Sequence, residues 1–194
     1  MPDVLRESHF QAQCVVRVTA NDVFLYDMLP MEAKAVVGGL VVDIGTTTVS
    51  ALIVDMLSGE ILAKASSGNG QIRYGADVIN RIIESQKPGG HEDCRCNHQR
   101  NLKPDDFQHV PRSKISSQQI YRAAIAGNTT MEHLMMGINA DPLRMEPYIP
   151  AFFKTNSLFA ADVNLAIHPD AHIILAPNIG SYVGGDITAA RWSA

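Results

Sequence analysis

Leu40-Val41-Val42-Asp43-Ile44-Gly45-Thr46-Thr47-Thr48-Val49-Ser50 holds more of the fold than any other stretch of this chain. An apolar run leads to a carboxylate, then to a glycine, three hydroxyls and an alternating run through Asp55. The two flanking runs have the patterns of β-strands. Gly45 lets the backbone turn sharply and come close to a ligand. The N–H groups of Gly45, Thr46, Thr47 and Thr48 can converge on an anion, and the threonine hydroxyls add donors. Asp43 beside such an anion calls for a cation, and a largely hydrated Mg²⁺ is the natural one. The pattern suggests nucleotide phosphate binding on a hairpin. An ordinary hairpin whose threonine-rich turn binds nothing has the same spacing.

Working along the chain from this hairpin, strands are expected at about Gly39–Ile44, Val49–Asp55 and Ile61–Ser66, with Leu57-Ser58-Gly59-Glu60 as the second turn. Tyr74–Gln86 reads as a helix with Val78, Ile79, Ile82 and Ile83 on one face. Ile120–Ala126 reads as a strand, and Asn128–Met136 as a helix with an Asn/Thr start suited to capping. Asp141–Asn156 holds three prolines and reads as loop. Ile173–Ala176 is a further strand, and Gly184–Trp192 a last helix with a glycine-rich entry. Ahead of all this, Cys14–Val18 and Val23–Tyr26 form a hairpin within residues 1–35.

Lys87–Arg112 fits none of this and carries no period. His91, Cys94, Cys96 and His98 are metal-ligand types, but without zinc-site spacing, so a disordered surface loop is the simpler expectation. Codons compatible with His91–Asp105, read one nucleotide later, permit a helix-forming peptide. A local frameshift from about Gly90 to Ile115 is therefore the expectation that best restores a packing helix.

Four stretches together resemble one family. Asp43-Ile44-Gly45-Thr46-Thr47-Thr48 is similar to the first phosphate loop of the acetate and sugar kinase/heat-shock cognate/actin superfamily. Tyr74-Gly75-Ala76-Asp77-Val78-Ile79-Asn80-Arg81-Ile82, Ala126-Gly127-Asn128-Thr129-Thr130-Met131 and the run Ile179–Ala189 resemble the ATPase-like domain of iron–sulfur reductive activators of corrinoid proteins. The resemblance implies an α/β fold: a ribonuclease H-like (actin-like ATPase) half-domain over 36–194. It has a mixed sheet and flanking helices, is irregular at 87–117, and is preceded by a short hairpin that resembles the tail of another domain.

The same resemblance implies the roles of particular residues. Asp43 would position Mg²⁺ through water as metal and catalytic residue, and Gly45, Thr46, Thr47 and Thr48 would hold phosphates. Asn128 would orient the attacking water or polarise the phosphate, unless it serves only as a helix cap, and Thr129 and Thr130 share that place. Gly184, Gly185 and Asp186 open a helix whose N–H groups could meet an anion, while Asp186 could cap or help ligate metal. The implied cofactors are ATP and Mg²⁺. The implied activity is ATP-dependent reductive activation, with a corrinoid protein as partner and a homodimer compatible with it.

The family's 2Fe–2S cluster lies in a separate domain, and the three cysteines here are fewer than the four thiolates it needs. The superfamily's second phosphate loop is an Asp-Xaa-Gly turn that does not recur before Ala194, so a truncated fragment is expected. A small-molecule kinase and a non-catalytic fragment are the competing readings. The bulk composition is neutral on these choices. With 46% hydrophobic residues and a net charge of −4, the 194-residue chain can build a core and shows no footprint for nucleic acid. No apolar run approaches the roughly 18 residues of a membrane span, and no secretory signal is visible, which makes the cytoplasm the default.

Overall fold

The computed structural model describes residues 2–7, 9–90, 108–109 and 115–192. The readings of His91, Cys94, Cys96 and His98 and of the 90–115 frame lie outside the described residues. A short helix α1 (Pro2–Glu7) precedes a two-stranded antiparallel sheet of β1 (Ala12–Val18) and β2 (Val23–Pro30). The main sheet takes β3 (Gly38–Ile44), β4 (Thr48–Asp55), β5 (Ile61–Gly68), β6 (Gln108–His109), β7 (Ile120–Gly127), β8 (Leu158–Phe159) and β9 (His172–Leu175). Its strand order is β6-β5-β4-β3-β7-β9-β8. The helices are α2 (Val78–Ser85), α3 (Thr129–Met136) and α4 (Gly185–Trp192).

β3, β4 and β5 form the expected antiparallel meander, while β7 and β9 continue the sheet parallel to β3. This is the ribonuclease H-like arrangement, a mixed sheet with flanking helices. Alternation along the strands sets its faces. Leu40, Val42 and Ile44 of β3 join Val49, Ala51 and Ile53 of β4 and Ala123 and Ile125 of β7 in one buried core. Ile82 of α2 and Met131, Leu134 and Met135 of α3 complete it. Val41, Asp43 and Ala124 look out on the opposite face, which α4 crosses at β7.

One element begins later than its sequence pattern suggests. Tyr74 ends a separate 3-10 turn (Gly70–Tyr74), and residues 75–77 are not helical. α2 starts at Val78 because Asp77 caps it, its carboxylate accepting the Asn80 N–H at 2.8 Å. Gly75 just before it packs so tightly that an added Cβ would lie 2.6 Å from the Asn80 Cβ. The N-terminal hairpin rests on the far end of the sheet. There Tyr26 packs against Tyr121 with ring centroids 5.5 Å apart, and the Tyr121 hydroxyl donates to Asp27 at 3.2 Å.

Candidate functional site

The turn between β3 and β4 is closed by the Gly45 N–H donating to the Thr48 carbonyl at 2.9 Å. A Cβ on Gly45 would stand 2.6 Å from that same carbonyl oxygen, so no other residue fits this approach. The turn's carbonyls all find partners on the protein side. Gly45 O accepts from Asn69 Nδ2 at 2.9 Å, Thr46 O from Arg81 Nη2 at 2.6 Å, and Thr47 O from the Asn69 N–H at 2.7 Å. A trans peptide points its N–H opposite to its C=O. The N–H groups on those three planes belong to Thr46, Thr47 and Thr48, and they face away from Asn69 and Arg81. Thr47 and Thr48 are exposed and Thr46 half-buried. Successive outward N–H groups with hydroxyls beside them have the geometry that an anion cradle requires.

Asn128 reaches this turn because β3 and β7 run parallel with Ile44 opposite Gly127. Its Oδ1 accepts the Met131 N–H at 3.0 Å and caps α3, while its Nδ2 donates to Thr46 Oγ at 3.0 Å. Thr129 is placed elsewhere. It is fully buried, and its hydroxyl sits 2.7 Å from the Gly180 carbonyl and 3.2 Å from Asn178 Oδ1, on the loop ahead of α4. Thr130 lines a cavity of about 260 Å³ together with Thr46, Asn128, Ser181 and Tyr182.

Gly184 and Gly185 bring the start of α4 against the start of α3. A Cβ on Gly184 would lie 2.5 Å from the Asn128 Cα and from the Thr129 N, and one on Gly185 would lie 2.5 Å from Glu132 Oε1. Asp186 is exposed, and its Oδ1 accepts the N–H of Ile187. Asp43 opens into a cleft of about 500 Å³ on the sheet face, shared with Ser50, Lys64 and Ser66. Partial burial, with the negative charge of Asp186 adding, raises the Asp43 carboxyl above its ordinary value. Among the described residues no group of three or more His, Cys, Asp or Glu side chains is placed to hold a metal ion. A cation at Asp43 would therefore keep water and phosphate as most of its ligands, which suits Mg²⁺.

Four residues of this neighbourhood escape sequence reasoning: Asn69, Arg81, Glu132 and Asn178. Glu132 is fully buried. Its Oε2 accepts from Asn178 Nδ2 at 2.9 Å, while Oε1 has no hydrogen-bond partner. Burial pushes its carboxyl up to about 8. The Asn178 bond opposes that shift and the charge of Asp186 adds to it. Arg81 lies within the motif Tyr74–Ile82, and Asn69 within Gly68-Asn69-Gly70, but nothing local links either to a turn far away in sequence.

The comparisons with known proteins bear on the family and the fold. Residues 38–193 match the model of the family described as the RACo middle region. The corrinoid activation enzyme RamQ of Eubacterium limosum is 31% identical over 167 residues, covering 85% of this chain and 28% of that protein. A solved structure of a reductive activator for corrinoid, iron–sulfur protein superposes with a TM-score of 0.84 at 34% identity, covering 97% of this chain and 30% of the other. The chain thus spans under a third of the length of either relative. With the family model matched from the first residue of β3 through the whole of α4, the chain belongs to the RACo middle region family.

Proposed function

We propose that this chain is the phosphate-holding half of an ATP-binding unit in a reductive activator of corrinoid proteins. The observation that carries the proposal is the turn at Gly45–Thr48, whose carbonyls are bonded inward and whose amides face out beside Asp43. Those amides and the Thr46–Thr48 hydroxyls would hold phosphate oxygens. Asp43 would hold Mg²⁺ through its water shell. Bound MgATP would supply the phosphate-bond energy that such an activator couples to reduction of a Co(II) corrinoid. Asn128 fixes the Thr46 hydroxyl at the cradle's edge. The names of both relatives carry the corrinoid, which supports a corrinoid protein as partner. Any iron–sulfur cluster would belong to a separate domain, since three cysteines cannot supply four thiolates.

A small-molecule kinase is the nearest competitor, but phosphoryl transfer to a hydroxyl calls for a base. An amide stands at the start of α3, with both polar atoms already bonded. The test is calorimetric titration of MgATP into a complete activator containing this unit, alongside ATP-dependent Co(II) reduction followed by absorbance. Asp43→Asn should weaken Mg²⁺-dependent ATP binding by about tenfold or more and slow reduction. ATP binding indifferent to both Mg²⁺ and Asp43 would sink the proposal.

A further inference from the structure

The residues of the motif Tyr74–Ile82 converge on one side chain. Arg81 is fully buried, at 0% exposure. Its Nε donates to the Gly75 carbonyl at 2.9 Å, its Nη1 lies 3.4 Å from Met131 Sδ, and its Nη2 donates to the Thr46 carbonyl at 2.6 Å. Asp77 caps the helix that carries it, and the tight packing of Gly75 on Asn80 and Arg81 brings the first of these carbonyls within reach. The guanidinium thus spans from the entry of α2 to the underside of the phosphate turn.

We infer that Arg81 is the positioning residue of this turn: it holds the Thr46 carbonyl inward and so aims the Thr47 amide, and its neighbours, at the anion. The inference rests on the phosphate-binding proposal and adds to it the group that sets the cradle's geometry. Thr46 and Thr47 share the peptide plane on which Arg81 pulls, so turning that carbonyl out would turn the Thr47 N–H in. Asn69 holds the two flanking planes, and Arg81 holds the middle one. A guanidinium is suited to this because its fork donates in two directions from one rigid plane and keeps its charge at every working pH. A lysine has the charge but not the fork. A buried cation behind an anion cradle also favours the anion, because screening is weak there.

The experiment uses the ¹⁵N-labelled 194-residue chain and magnesium with inorganic triphosphate as probe, followed by NMR. In the parent, the Thr46, Thr47 and Thr48 amides and the Arg81 guanidinium N–H resonances should shift together on titration. Arg81→Met should raise the triphosphate Kd by about tenfold and cut the Thr47 amide shift most, while sheet amides at β4 and β5 stay in place. Arg81→Lys should fall between the two. Arg81→Met binding within about twofold of the parent overturns the inference while the phosphate proposal stands. The inference is overturned in the same way, with no variant needed, if the parent's turn amides move and its Arg81 resonances do not. If the parent's Thr46–Thr48 amides ignore triphosphate, both fall.

Discussion

Two helices begin beside the same turn, and they begin differently. α3 starts on Asn128, whose side chain caps it, and its residues Thr129 through Met135 are all buried. α4 starts on a glycine pair with Asp186 and Ile187 exposed on its first turn. α3 is therefore scaffold, fixed by the core on every side, with its capping residue bonded to Thr46. α4 is laid against that scaffold at Gly184, where only the absence of a side chain permits contact. The difference divides the labour at the site: α3 fixes where the turn is, and α4 brings a charge, Asp186, up to Asp43. Between them lies Glu132, on α3 and pressed against α4.

Glu132 gives the largest way to break this contrast. Its folded pKa of about 8 lies above its ordinary value of 4.5, so the fold holds that proton more tightly than the unfolded chain does. Its stabilising contribution is fully present below pH 4.5 and is lost as pH rises through about 8. Denaturant unfolding should show stability falling across that window, by on the order of 3 kcal/mol by neutral pH. Glu132→Gln should flatten the slope. A slope unchanged in the variant would place its origin elsewhere.

Gly184→Ala comes next. Its Cβ meets backbone atoms that have no rotamer to change, so a cost of about 1–3 kcal/mol is expected. Gly180→Ala, with nothing within 4 Å of the added Cβ, should be nearly silent. Equal costs in the two would erase the distinction between contact and linker. Asn128 sharpens the picture for α3. Asn128→Ala should cost about 1 kcal/mol as a lost cap. Asn128→Asp keeps the cap but loses the donor to Thr46, so it should hold stability near the parent's and still weaken triphosphate binding. The smallest effect is on α4: Asp186→Asn should lower the Asp43 pKa toward its ordinary value, as read by carboxyl NMR titration.

The strand–turn–strand at Leu40–Asp55 and the order of the longer elements are legible in the sequence because both depend on local alternation and on glycine and proline. The short α1, β6 and β8 carry too few residues to show a period, and β6 falls in the stretch expected to be irregular. The position of the Gly45–Thr48 turn is legible for the same reason as the longer elements, and its role toward phosphate is a proposal. Where the pattern misleads, a tertiary contact has intervened. Of the expected apolar face of α2 only Ile82 is buried and Val78 half-buried, while Ile79 and Ile83 are exposed and Arg81 and Ser85 take the buried places. Its start moves to Val78, capped by Asp77, once Gly75 is drawn against Asn80. Glu132 is invisible to pattern because an acid four residues into a helix normally faces water. α3 is buried all round, so no polar face exists for it to occupy. The motif alone sets Thr129 at the phosphates, whereas its hydroxyl turns to Gly180. The domain division at residue 35 and the roles toward a ligand of Asp43, Gly45, Thr46, Thr47, Thr48, Asn128, Gly184, Gly185 and Asp186 stay proposals.

The turn's dependence on distant partners also bears on when the site comes into being. Its carbonyls and hydroxyl are held across separations of 24 residues to Asn69, 35 to Arg81 and 82 to Asn128. Contacts so far apart in the chain are costly to close and form late in folding. The β3–β4 hairpin can zip early as a local structure, yet its amides will be aimed outward only after α2 and then α3 have docked. The affinity for phosphate proposed for this turn should thus mature last, so a nascent or partly unfolded chain would carry the whole motif without the geometry the proposal needs.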